Sequence, residues 1–180
     1  LDACAAPGAK ATAIAERVGP EGRVGAVDRH ERRLALVARD AARLGLAHVA
    51  TVCADATRGL PEAPAAAGYA RILVDAPCSG LGAWRRNPDA RWRATPDAPA
   101  RLAAVQGAIL RRAADRLAPG GTLVYSPCPL ASEETEAGID ALLAERPALR
   151  RAALATLPAS LTCAHDHASL LDPLGALRTL

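Results

Sequence analysis

Short apolar runs alternate along this chain with stretches whose apolar residues recur every three or four positions. The runs at residues 23–28, 48–53 and 71–75 read as strands, the last as a buried one, and residues 122–126 as a fourth. Between them, Leu34, Val37, Ala41 and Leu44 fall at helical spacing and predict a helix over residues 31–44. A second long helix is expected over residues 98–117, ended by a turn at Pro119-Gly120-Gly121. Ser132 is placed to cap a further helix whose first residues are Glu133 and Glu134, acids that suit the positive end of a helix. The segment with Pro77, Gly80, Gly82, Pro88 and Pro96 reads as a long loop, and no element is assigned after about residue 157. Strand–helix alternation of this kind predicts an α/β fold, a mostly parallel sheet with helices on both faces.

Composition narrows the picture. The 180 residues suit one domain, residues 1–180, with a core of Leu, Val, Ile and Ala, since Phe and Met are absent. Two Trp and two Tyr leave little for an aromatic base-stacking platform. The net charge of +3 does not announce nucleic-acid binding, and the excess of Arg over the single Lys10 is consistent with a GC-rich genome. Without Met, and opening on Leu1-Asp2-Ala3-Cys4 at what reads as a strand end, the chain is expected to be part of a longer protein, without complete first and last strands. No signal peptide or long apolar span is visible, so the expected setting is cytoplasmic, with no membrane. Five cysteines at 4, 53, 78, 128 and 163 form no C-x-x-C pair, which argues for free thiols and no metal.

The candidate chemistry lies at the ends of the strands. Cys4, Ala5, Ala6, Pro7, Gly8, Ala9 and Lys10 form a small-residue loop opening a helix, where a ligand can approach the backbone and its amides. The full G-x-G-x-x-G fingerprint is absent, which disfavours a dinucleotide dehydrogenase. Asp28 ends one strand, where an acid can accept hydrogen bonds from ribose hydroxyls, and Asp55 follows the next. Either acid alone is more often a turn former; together they mark the carboxyl edge of one sheet, where ligands bind. Asp75-Ala76-Pro77-Cys78-Ser79-Gly80 and Ser126-Pro127-Cys128-Pro129 set two Pro-flanked thiols beyond neighbouring strands. Cys4, Cys53 and Cys163 are read as small buried hydrophobes.

In these residues the chain resembles the Sun/RsmB-like RNA (cytosine-5) methyltransferases, of the Rossmann-like class I methyltransferase superfamily. The resemblance runs through residues 4–10, Asp28, Asp55, residues 75–80, Arg85-Arg86-Asn87-Pro88-Asp89 with Trp92, residues 120–126, Cys128 and Glu133-Glu134. It implies S-adenosylmethionine as cofactor, with residues 4–10 holding its methionine part and ribose, Asp28 the ribose hydroxyls and Asp55 the adenine. Asp75 is then expected between cofactor and base, Cys128 as the nucleophile and Cys78 as the group that helps release the product. The implied partner is RNA, ribosomal more than transfer RNA, met by a monomer whose RNA-binding N-terminal region lies outside this sequence.

Three positions depart from the family pattern. Ala9 stands where a second glycine is usual, Pro127 where Thr precedes the nucleophile, and Pro129 where a small polar residue follows. The two prolines stiffen the loop and remove backbone N–H donors beside Cys128. An RNA-binding or assembly module that keeps the fold with weakened catalysis is therefore the alternative. A Rossmann-like enzyme of small molecules is disfavoured by Arg85, Arg86, Arg91 and Arg93, whose guanidinium groups suit phosphate.

Overall fold

A computed structural model describes residues 1–81, 88–127 and 131–152. Its elements are α1 (Ala9–Val18), β1 (Val24–Asp28), α2 (Glu31–Arg43), β2 (Val49–Cys53), β3 (Tyr69–Val74), α3 (Ala90–Arg93), α4 (Ala98–Asp115), β4 (Leu117–Tyr125) and α5 (Glu136–Glu145), with a 3-10 turn at Ser132–Glu134. Contacts divide the chain into two compact units, residues 1–142 and 143–180, and the sheet and site belong to the first.

β1 pairs in parallel with β2, and β3 with β4. The two pairs are joined by the opening residues, because Asp2 bridges in parallel to both Ala26 of β1 and Leu73 of β3. Asp2 donates its amide to Gly25 and Ala3 donates its own to Leu73, while the Val27 and Leu73 amides donate back to Asp2 and Leu1. The order is therefore β2-β1-(residues 1–3)-β3-β4. From its centre the chain steps outward through α1, β1, α2 and β2, and later outward the other way through β3, α4 and β4. Right-handed crossovers running in opposite directions put their helices on opposite faces. α1 and α2 accordingly pack against β1, and α4 against β3 and β4. This is the expected doubly covered parallel sheet.

The apolar spacing that predicts α2 is also what seats it: Leu34, Val37 and Ala41 are buried. Leu34 and Val37 close over Ala5, Ala6, Ala11 and Ala26, with Val49 at the margin. Small side chains on α1 and β1 allow that close approach. Val27, Val37, Ile72, Val74 and Leu110 are among the largest fully buried side chains.

Four expectations need correction. Leu44 lies just past the end of α2 and is 39% exposed, so the apolar stripe stops at Ala41. β3 is not buried throughout: Ala70 and Arg71 are exposed, and full burial is reached only at Ile72 and Val74. Pro119-Gly120-Gly121 lies inside the span of β4, because Leu117 already pairs with Tyr69 before the register resumes at Arg71 and Thr122. It is an irregularity within a strand, and Gly120 takes a φ of 71° there. Finally, Ser132 and the two acids form the 3-10 turn with no capping bond from a side chain, and the helix begins at Glu136. No helix among the described residues is long and apolar enough to cross a membrane.

Candidate functional site

The carboxyl ends of the strands collect the chemistry. Residues 1–3 run into the loop that opens α1, and Gly8 is the residue preceding that helix. Gly8 has a φ of 125°, and a Cβ there would lie 3.2 Å from the Val37 backbone, so both conformation and space call for glycine. Having no side chain, it leaves the first-turn amides of α1 without a side-chain cap. Ala9, in the position of the family's second glycine, is an exposed first residue of the helix and fits without difficulty.

Asp28 ends β1 and is nearly buried, 8% exposed. Its two oxygens accept separately, Oδ2 from the Ala6 amide at 3.3 Å and Oδ1 from the His30 amide at 2.9 Å. A carboxylate has about four acceptor positions, so hydroxyl donors can still be served. Arg33 donates to the Ala6 carbonyl at 2.8 Å and locks the same loop from α2. Asp55 reaches the same edge, since Asp28 pairs with Cys53 and the Ala54 amide bonds the Asp28 carbonyl. One of its oxygens is already engaged: Oδ1 accepts from the Thr57 amide and hydroxyl, and the hydroxyl bond foremost holds its carboxyl below the usual range. Oδ2 lies 3.8 Å from Arg58. Asp55 is thus a turn former, with one oxygen outside the turn.

Asp75 follows β3 and meets Lys10, whose Nζ lies 2.5 Å from its Oδ2. That ion pair ties the loop of residues 4–10 to the loop that carries Cys78. The pair is partly open to solvent, with side chains 54% and 28% exposed. Cys78 is half-buried, three residues on. Beyond the neighbouring strand, the Ser126 amide donates to Val74 and the chain continues into Pro127. Cys128, Pro129, Arg85, Arg86 and Cys163 lie outside the described residues. Trp92 is 79% exposed, with the Arg91 guanidinium 5.0 Å from its ring centre.

Cys4 is half-buried, and burial pushes its thiol up to about 12, with Asp2, Asp28 and Asp75 all adding to the effect. Cys53, expected to be buried, is instead exposed at the end of β2.

Sequence reasoning missed the buried state of two features. Asp2 is 1% exposed between β1 and β3, and burial raises its carboxyl to about 6, a rise that Asp75 reinforces and the Cys4 amide moderates. Glu134 and Gln106 are buried polar side chains joined to each other, to Tyr125 and to the loop of Cys78. Glu134 enters the sequence reading only as an acid at a helix start and as part of the family resemblance, and Gln106 is a polar residue on an otherwise apolar helix face.

Residues 1–170 match the family described as 16S rRNA methyltransferase RsmB/F. The chain belongs to this family. It is similar to the probable ribosomal RNA small subunit methyltransferase B of Bacillus subtilis, 44% identical over 147 residues, which is 82% of this chain and 33% of that protein. The corresponding protein of Synechocystis is 46% identical over 143 residues, 79% of this chain and 32% of its own length. The structure of NSun6 from Pyrococcus horikoshii with SFG superposes with a TM-score of 0.70 at 34% identity, covering 80% of this chain and 36% of that one. The chain thus has the Rossmann-like methyltransferase fold of its family and spans about a third of the length of the curated relatives it matches.

Proposed function

We propose that this chain is the catalytic part of an S-adenosylmethionine-dependent methyltransferase that modifies carbon 5 of a cytosine in ribosomal RNA. The observation that carries the reading is the Lys10–Asp75 pair, which joins the glycine-bearing loop at α1 to the Asp-Ala-Pro-Cys-Ser-Gly segment. Ribosomal RNA is favoured over transfer RNA by the small-subunit relatives. The same reading takes the chain to act as a monomer.

The residues present fit the cofactor. Residues 4–10 would take its methionine part and ribose at the uncapped start of α1. Asp28, fixed by the Ala6 and His30 amides, would accept from the ribose hydroxyls, and Asp55 would face the adenine with the oxygen its turn leaves over. When bound, S-adenosylmethionine supplies an activated methyl group.

Carbon 5 of cytosine is too electron-poor to take that methyl group unaided. The Cys128 thiolate adds to carbon 6, which makes carbon 5 nucleophilic; after methylation, loss of the carbon-5 proton and departure of Cys128 restore the ring. Asp75, steadied by Lys10, accepts from the amino group on the base edge and holds the ring in place, while the ring nitrogen takes up a proton as the thiolate adds. Cys78 assists release of the enzyme from the product. The base must be unpaired or flipped to enter.

The test is methyl transfer from labelled cofactor to RNA by the full-length protein. Cys128→Ala abolishes transfer, and undiminished transfer by that variant would remove the nucleophile assignment. Cys78→Ala traps a covalent protein–RNA adduct. A wild-type protein that binds cofactor and RNA yet transfers nothing would favour the non-catalytic module, a reading motivated by Pro127 and Pro129 on either side of Cys128.

A further inference from the structure

Glu134 belongs to the 3-10 turn after β4 and its side chain is completely buried. A carboxyl group in that position is costly unless its oxygens are satisfied. Oε1 accepts from the Ser79 amide at 2.9 Å and from Gln106 Nε2 at 3.0 Å, while Oε2 accepts from the Ser79 hydroxyl. Gln106 uses its second amide proton on the Pro77 carbonyl at 2.9 Å. Its Oε1 faces the Tyr125 hydroxyl at 2.9 Å, whose single proton is shared with the Glu134 carbonyl at 2.7 Å. This arrangement uses both Gln106 amide protons and fixes the orientation of its side-chain amide.

The bonds fall on the two sides of one residue. Cys78 has its preceding neighbour held through the Pro77 carbonyl and its following neighbour through the Ser79 amide and hydroxyl. The thiol itself takes no part in these bonds, so they hold the backbone on either side of it without engaging Sγ. The same cluster grips Tyr125, the last residue of β4, from which the chain passes through Ser126 and Pro127 toward Cys128. α4, the end of β4 and the 3-10 turn thus converge behind the Pro77-Cys78 segment.

We propose that Glu134 is a positioning residue that sets the reach of Cys78 by holding both of its flanking peptide groups, an inference that rests on the methyltransferase reading for the purpose Cys78 serves. Glu134→Gln keeps the shape but turns one acceptor into a donor facing Ser79 or Gln106, which carry donors already. In the full-length protein, the rate of Cys78 alkylation by iodoacetamide, followed by mass spectrometry, should change at least threefold while that of Cys53 stays constant. The kcat for methyl transfer should fall tenfold or more, with KM for S-adenosylmethionine within twofold, and the protein–RNA adduct should accumulate as it does for Cys78→Ala. Ser79→Ala, at a half-exposed position, removes one bond and should move the same readouts in the same direction by less; it decides the matter if Glu134→Gln does not fold.

A folded Glu134→Gln protein with unchanged Cys78 alkylation and no adduct would overturn the proposal, whatever its melting temperature. So would Ser79→Ala with all readouts at wild-type values if Glu134→Gln does not fold. A wild-type protein that never transfers methyl groups counts against the proposed function instead, and the alkylation arm then still tests whether Glu134 positions Cys78.

Discussion

Asp2→Asn should stabilise the protein at neutral pH and remove a pH dependence that the wild type carries. Asp2 is held in the middle of the sheet with 1% of its surface exposed, and its carboxyl is raised from 3.8 to about 6. A raised acid binds its proton more tightly in the folded than in the unfolded chain. Its contribution to stability is therefore complete below pH 4 and is lost as the pH climbs through 6. The shift spans about two units at about 1.4 kcal/mol each, so the ionised carboxylate costs about 3 kcal/mol above pH 7. Asn keeps the shape and an oxygen for the Cys4 amide, now 3.3 Å from Asp2 Oδ1, without the charge. Urea unfolding of both proteins, followed by circular dichroism from pH 4 to 8, isolates the effect, because other titrating groups cancel in the difference. The variant should match the wild type near pH 4 and gain steadily to about 3 kcal/mol above pH 7. A difference that stays flat with pH, or a variant less stable at pH 7, would refute the reasoning.

Other consequences are simpler to state. Gly8→Ala forces a side chain into a φ of 125° and to 3.2 Å from the Val37 backbone, so it should cost about 1–3 kcal/mol in thermal unfolding and weaken cofactor binding in calorimetry. Leu110→Ala empties a fully buried position on α4 and should cost about 2–5 kcal/mol by the same unfolding measurement. At pH 8, Cys4, pushed up to about 12, should resist alkylation while the exposed Cys53 reacts; equal rates by mass spectrometry would contradict its burial. Lys10→Met should cost less than about 1 kcal/mol, since the pair with Asp75 is partly solvated, yet lower kcat by releasing Asp75.

Local pattern reached most of the fold. The strands at 23–28 and 48–53 and the helix at 31–44 were legible to within a residue or two, because each buries a face whose period shows in the sequence. Errors arose where a neighbour decided the outcome. Nothing local indicates that Leu117 pairs with Tyr69 before the glycines, so the strand appeared to start after them. Ser132 and its acids have the composition of a capped helix, but the burial of Glu134 against Ser79 and Gln106 holds those residues in a tighter turn.

The site divides along the same line. Asp28, Asp55, Asp75 and Cys78 were legible because a parallel sheet delivers every strand end to one edge, so position along the chain implies position in space. What holds them comes from elsewhere in the sequence: Lys10 reaches Asp75 across 65 residues, and Glu134 reaches Ser79 across 55. Such partners have no periodicity to betray them, and Glu134, as one acid of an adjacent pair, reads as the first turn of a helix. Its complete burial reverses that reading, since a carboxyl group removed from water survives only where donors are fixed around it. The donors here are the amide and hydroxyl beside Cys78 and an amide that also holds Pro77. The requirement to satisfy one buried acid is therefore the same requirement that immobilises the thiol-bearing loop.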